Sequence, residues 1–143
     1  MSLDILIRGG TALDPAAGTE RRANVGVEAG RIAYLGPDSP AAGRVIDAAG
    51  LLVSPGFIDT HMHDEELDDP GTIQKALLRQ GVTTALAGNC GSGPGMGRVK
   101  EKRKSPWINL GYLSGHTALR EAVGTSDVYQ PATEAEISRM EEL

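Results

Sequence analysis

Pro55-Gly56-Phe57-Ile58-Asp59-Thr60-His61-Met62-His63 is the stretch on which the reading of the chain turns. Pro55-Gly56 leads into a short extended run that ends on two histidines, two positions apart. A strand has a period of two, so both rings are expected on one side. Two imidazoles converging there suit a single divalent metal ion. In isolation, a His-x-His pair reads more readily as two ordinary polar residues at a strand–loop junction. The surroundings therefore decide.

Downstream the pattern is strand, helix, strand. Thr72 is placed to cap a helix in which Ile73, Ala76 and Leu77 share a face and which Gly81 ends. Val82-Thr83-Thr84-Ala85-Leu86-Ala87 is a β-branched, apolar run of the kind found in buried strands, and it stops at Gly88-Asn89-Cys90-Gly91. A third strand is predicted over Trp107 to Leu113, ending near His116. Thr133 and Glu136 have capping-box spacing and open a helix with Ile137, Met140 and Leu143 on or near one face. This rhythm is that of a parallel α/β fold. The candidate chemical groups follow three successive strands, and in a (β/α)₈ barrel those strand ends form the active-site face.

Upstream the chain reads differently. Ile5 and Ile7 alternate with Asp4, Leu6 and Arg8 before Gly9-Gly10. Asn24 to Val27 and Arg31 to Leu35 are extended runs joined by Glu28-Ala29-Gly30, a hairpin signal. Val45-Ile46 and Leu51-Leu52-Val53 are of the same style. The expected organisation is a small β-rich subdomain over 1–54, then βα units over 55–143.

Composition narrows the function classes. The chain has 143 residues and a net charge of −5; a nucleic-acid partner normally needs a basic face that neutralises phosphates, and none is expected from this balance. One cysteine makes no internal disulfide, which suits a reducing cytoplasm. Met1-Ser2-Leu3-Asp4 has no basic region followed by a long apolar stretch, so no signal peptide is expected; no apolar run is long enough to span a bilayer, so no membrane role is expected either. Aromatics make up only 3%, so the core must be aliphatic.

The stretch 55–63, with the β-rich leader before it, resembles the first barrel strand and the N-terminal subdomain of the amidohydrolase superfamily. Gly81-Val82-Thr83-Thr84 followed by Gly88-Asn89-Cys90-Gly91 resembles its D-aminoacylase branch, the N-acyl-D-amino-acid deacylases. Gly115-His116-Thr117-Ala118-Leu119-Arg120 is similar to a segment after the third strand of that branch. The resemblance implies an α/β fold, a partial (β/α)₈ TIM barrel preceded by the β subdomain. It implies one or two divalent ions, Zn²⁺ foremost, held by His61, His63 and Cys90. In this branch the cysteine stands where many relatives have a carboxylated lysine. The implied reaction is hydrolysis of the amide bond of a small N-acyl-D-amino acid by a metal-bound hydroxide. Asp64 and His116 are expected to touch substrate or support the ligands, although His116 reads equally as a strand-end cap. Asp59 is expected to be structural, facing away from the neighbours of His61 or bonding a backbone group.

A closed barrel takes roughly 250 residues, and the stretch after Pro55 accommodates about three βα units. The family's general base and later histidine ligands are thus expected beyond residue 143. The chain alone is expected to be inactive, and to need the remainder of the barrel or another chain to complete it. Residues 91–106 are rich in glycine and basic residues and show no apolar helical face, where relatives place a helix. The run 91–97 lacks the ending of a phosphate loop, and the basic cluster 98–104 reads as a solvated loop. Two rival readings stand: a cyclic-amide hydrolase such as a dihydroorotase or hydantoinase, and a truncated, non-catalytic binding module.

Overall fold

A computed structural model of the chain describes residues 2–63, 73–91, 107–125, 127 and 129–143. Within these, the chain divides into two compact units, Met1–Pro55 and Gly56–Leu143. The expected cap Thr72, the candidate Asp64, and the glycine-rich and basic stretch 92–106 lie outside the described residues.

The first unit is built from seven strands: β1 (Leu3–Arg8), β2 (Thr11–Asp14), β3 (Thr19–Arg22), β4 (Asn24–Glu28), β5 (Arg31–Gly36), β6 (Ala42–Asp47) and β7 (Leu52–Val53). They form two mixed sheets, β5-β4-β1-β6 and β3-β2-β7. β1 pairs antiparallel with β4 and parallel with β6. A small apolar cluster joins the sheets: Ala12 of β2, Ala23 and Val25 are buried, with Ile7 and Val53 packed against them. β1 uses both of its faces. Its deepest residue is Leu6, 2% exposed, on the face opposite Ile5 and Ile7. The β4–β5 hairpin forms where Glu28-Ala29-Gly30 predicts it. Ala29 and Gly30 both have positive φ, 49° and 73°, the signature of a type I′ turn. Asp4 accepts the Ala29 N–H at 2.7 Å and ties that turn to β1.

The β2–β3 hairpin was not anticipated. All four residues of β3 are exposed, so it carries no apolar alternation. Its signal lay in the turn, where Asp14 accepts the N–H groups of Ala16 and Ala17 and Gly18 takes φ 63°.

The described residues of the second unit hold a parallel sheet of order β10-β9-β8, from β8 (Phe57–Asp59), β9 (Val82–Ala87) and β10 (Asn109–Tyr112). β9 is central, and Ala85 and Ala87 are fully buried, in keeping with its apolar sequence. Helix α1 (Ile73–Arg79) precedes β9 and ends before Gly81, which takes φ 85°. Its inward residue is Gln74, fully buried; Ala76 is exposed, so the expected apolar face of Ile73, Ala76 and Leu77 is only partly used. Lys75 of α1 lies 5.2 Å from the ring centroid of Trp107.

Helix α2 (His116–Ala122) follows β10, and α3 (Glu134–Glu141) closes the described chain. β10 is shorter than the predicted 107–113 and His116 opens a helix four residues after it. α2 had no readable start, because its N-cap is Gly115, without a side-chain cap. α3 has the capping box its sequence predicts. The Thr133 hydroxyl accepts the Glu136 N–H, and the Glu136 carboxylate accepts the Thr133 N–H at 2.7 Å.

Glu136 also accepts a hydrogen bond from the Thr125 hydroxyl. That bond, then those from the Thr133 backbone and hydroxyl, hold its carboxyl down to about 2 from an ordinary 4.5. A depressed carboxyl contributes stability that is present above its unfolded value and lost as pH falls through its folded one. The cap is therefore expected to hold above about pH 4.5 and to weaken between there and about pH 2. An NMR titration of the Glu136 side-chain carboxyl should give a midpoint near 2; a midpoint near 4.5 would show that the Thr125 and Thr133 bonds do not form.

Candidate metal centre

The site begins where β8 stops. β8 is only three residues long, so His61 and His63 lie beyond the strand rather than on its pleat. Strand alternation alone therefore does not set their rings. Four backbone groups around His61 are held by specific partners instead. The His61 N–H donates to Asp59 Oδ1 at 3.0 Å. The Met62 N–H donates to the Leu86 carbonyl at 3.1 Å, which continues the β8–β9 pairing one step past the end of β8. The carbonyls of Thr60 and Met62 both accept from Asn89 Nδ2, at 3.3 Å each. Asp59 thus bonds a backbone group, the second of the two roles its sequence position suggested.

Cys90 sits in the turn that ends β9, a 3₁₀ turn over Asn89–Gly91. Gly88 and Gly91 have φ of 89° and 80°, and Cys90 itself has φ 59°. A left-handed residue other than glycine costs roughly 1–2 kcal/mol. Such outliers persist where the surroundings over-determine them. The surroundings here are tight. A Cβ on Gly88 would fall 2.3 Å from the Leu113 carbonyl oxygen, and one on Gly91 would fall 2.8 Å from Thr117 Oγ1. The end of β10 and the start of α2 thus crowd the turn that carries Cys90.

His61, His63 and Cys90 come together. Their ligand atoms all lie within 4.8 Å of one another, and all three residues are exposed. The two imidazoles meet edge to face, with centroids 5.8 Å apart and planes at 61°. Cys90 Sγ is 3.6 Å from His61 Nε2. A tetrahedral zinc ion with Zn–N near 2.05 Å and Zn–S near 2.3 Å holds such a pair about 3.6 Å apart. Two imidazoles and a thiol are also a donor set that zinc favours. The residues present fit a divalent ion.

His116 is not in this group. It is the exposed first residue of α2, one position before the Thr117 that packs on Gly91. In the sequence Asn89 stands out only as part of the segment Gly88-Asn89-Cys90-Gly91. Its signal was residue type: a carboxamide just past a strand end is a ready donor for nearby carbonyls.

Residues 44–140 match the model of the amidohydrolase family. The D-aminoacylase of Alcaligenes xylosoxydans xylosoxydans is 34% identical over 98% of this chain and 34% of its own length. The dihydroorotase of Geobacter sulfurreducens is 42% identical, but over 60% of this chain and 20% of its own length. Among solved structures, the N-acyl-D-glutamate deacylase of Bordetella bronchiseptica, complexed with zinc and a phosphonate mimic of the tetrahedral intermediate, superposes with a TM-score of 0.75. That match is 30% identical and covers 99% of this chain and 35% of the other. The chain spans about a third of the length of the D-aminoacylase and the deacylase it matches. Among the described residues no helix is long and apolar enough to cross a membrane. The family match covers most of the chain and includes both histidines and the cysteine: this chain belongs to the amidohydrolase family.

Proposed function

We propose that the chain is the front part of a metal-dependent hydrolase that cleaves the amide bond of N-acyl-D-amino acids. The observation that carries this reading is the convergence of His61, His63 and Cys90 at the carboxyl ends of β8 and β9. Ligands in open parallel sheets and barrels are bound at that end of the strands. We read β8, β9 and β10 as the first three strands of a (β/α)₈ barrel, whose remaining strands come from the rest of the protein or from another chain.

In this reading the two imidazoles and the Cys90 thiolate hold zinc or another divalent ion, one or two in number. Divalent-metal chemistry at such a site is acidification of a water and polarisation of the amide carbonyl. The chain's own part is to fix three donors in space. Asp59 and Asn89 hold the backbone that presents His61, and the glycine-flanked turn presents Cys90 outward. The acid/base group is assigned to the rest of the barrel. Asp64 and His116 are retained as candidates for contact with substrate. Cys90 is in no disulfide and must stay reduced to hold an ion, which suits a reducing compartment such as the cytoplasm.

Cyclic-amide hydrolysis is the second reading, favoured by the identity to dihydroorotase. The length of the match favours the deacylase: the D-aminoacylase aligns along nearly the whole chain, the Cys90 turn included, and the dihydroorotase along three fifths of it. The product of the complete gene, loaded with zinc, should hydrolyse N-acyl-D-amino acids in preference to their L forms. Turnover of dihydroorotate or hydantoins alone would reverse the order of the two readings.

Substitution at Cys90 separates ligation from packing. Cys90→Ser exchanges a soft thiolate for a neutral hydroxyl. It should lower bound zinc and turnover by tenfold or more; wild-type values of both would demote Cys90 to a packing residue. Cys90→Gly should lose zinc in the same way. Because glycine accepts positive φ without strain, urea melts of metal-free Cys90→Gly should show stability equal to wild type or higher by up to about 1 kcal/mol.

A further inference from the structure

The side chain of Asn89 makes an unusual set of bonds. Its Nδ2 donates to three peptide carbonyls: Thr60 at 3.3 Å, Met62 at 3.3 Å and Leu86 at 3.1 Å. A carboxamide has two N–H hydrogens, so one of them is shared. Thr60 and Met62 are the neighbours of His61 on either side, and the Met62 carbonyl belongs to the peptide that enters His63. Leu86 lies in β9, and its carbonyl also accepts the Met62 N–H. One amide therefore gathers the peptides around both histidines onto the strand whose next turn bears Cys90. Asn89 is itself the residue before Cys90, so the clamp and the third donor share one short turn.

We infer that Asn89 is a positioning residue, which sets the histidine pair against Cys90 and raises metal affinity before any ion arrives. The inference rests on the metal reading above. His61 and His63 have left the sheet, because β8 ends at Asp59. Without the amide, the Thr60 and Met62 carbonyls lose a protein partner and turn to solvent. The loop then has several conformations, of which one matches the thiol. Ordering it becomes a cost of binding the ion. Groups that orient metal ligands without touching the metal commonly alter affinity by 10–100-fold when removed. The amide is hard to replace. Aspartate has the same shape but no N–H, and its carboxylate would face three carbonyl oxygens.

The test uses the complete gene product, stripped of metal, as wild type, Asn89→Asp and Asn89→Ala. Zinc affinity is measured by competition with a chromophoric chelator, and hydrogen exchange is followed at the Met62 amide without metal. Both variants should bind zinc about 10–100-fold more weakly than wild type, at unchanged saturating stoichiometry, and the Met62 amide should exchange faster. If Asn89→Asp does not fold, Asn89→Ala carries the comparison, since it leaves the carbonyls to water and not to a carboxylate. A variant with lowered Tm but wild-type zinc affinity and Met62 protection would overturn the inference alone, leaving the metal reading intact. Wild-type protein that binds no zinc, or whose zinc is indifferent to Cys90→Ser, would overturn both.

Discussion

The parallel pairing of β8 with β9 is the constraint on which the rest of the site depends. Ile58 lies opposite Thr84 and Asp59 opposite Ala85, and the Met62 N–H reaches the Leu86 carbonyl beyond the last paired residue. Close approach makes this possible. A Cβ on Gly56 would fall 2.2 Å from the side chain of Thr83, and the Phe57 N–H bonds to the Gly81 carbonyl at 2.8 Å. Gly56 thus admits β8 to the side of β9 at a distance a larger residue would forbid. Once that register is set, the histidine segment and the Cys90 turn emerge side by side from adjacent strand ends. Their separation of nearly thirty residues in sequence becomes a separation of 3.6 Å in space.

A run of irregular backbone lies where the chemistry is expected. β9 ends in the buried residues Ala85 and Ala87, whereas three of the four residues after it, Gly88, Cys90 and Gly91, have positive φ. Two of these are glycines and bear the conformation without penalty. Cys90 does not have that freedom, and a residue chosen for conformation alone would be a third glycine. The sulfur is therefore what the strained position offers, exposed and beside an imidazole. The histidine side of the site is built by other means: a short carboxylate and a carboxamide replace the ladder bonds that β8 no longer makes.

Much of this was legible in the sequence, for identifiable reasons. The apolar run Val82–Ala87, the hairpin at Ala29-Gly30 and the capping box at Thr133 and Glu136 are local signals, and each forms as written. The pairing of the two histidines with Cys90 was legible through the strand-end rule together with resemblance. What escaped notice was non-local or unsignalled. α2 starts at a glycine with no side-chain cap, and β3 is exposed along its whole length. The bonds of Asn89 cross from one strand end to another, and no periodicity reports them. The period of two does not by itself orient His61 and His63, because the strand ends before either residue.

The central claim is that His61, His63 and Cys90 bind one ion together. X-ray absorption at the zinc edge of the stoichiometrically loaded gene product tests it most directly. Joint ligation gives a shell with sulfur near 2.3 Å and imidazole nitrogen near 2.0–2.1 Å, the sulfur vanishing in Cys90→Ser. A wild-type shell of nitrogen and oxygen alone, with no sulfur, would contradict it.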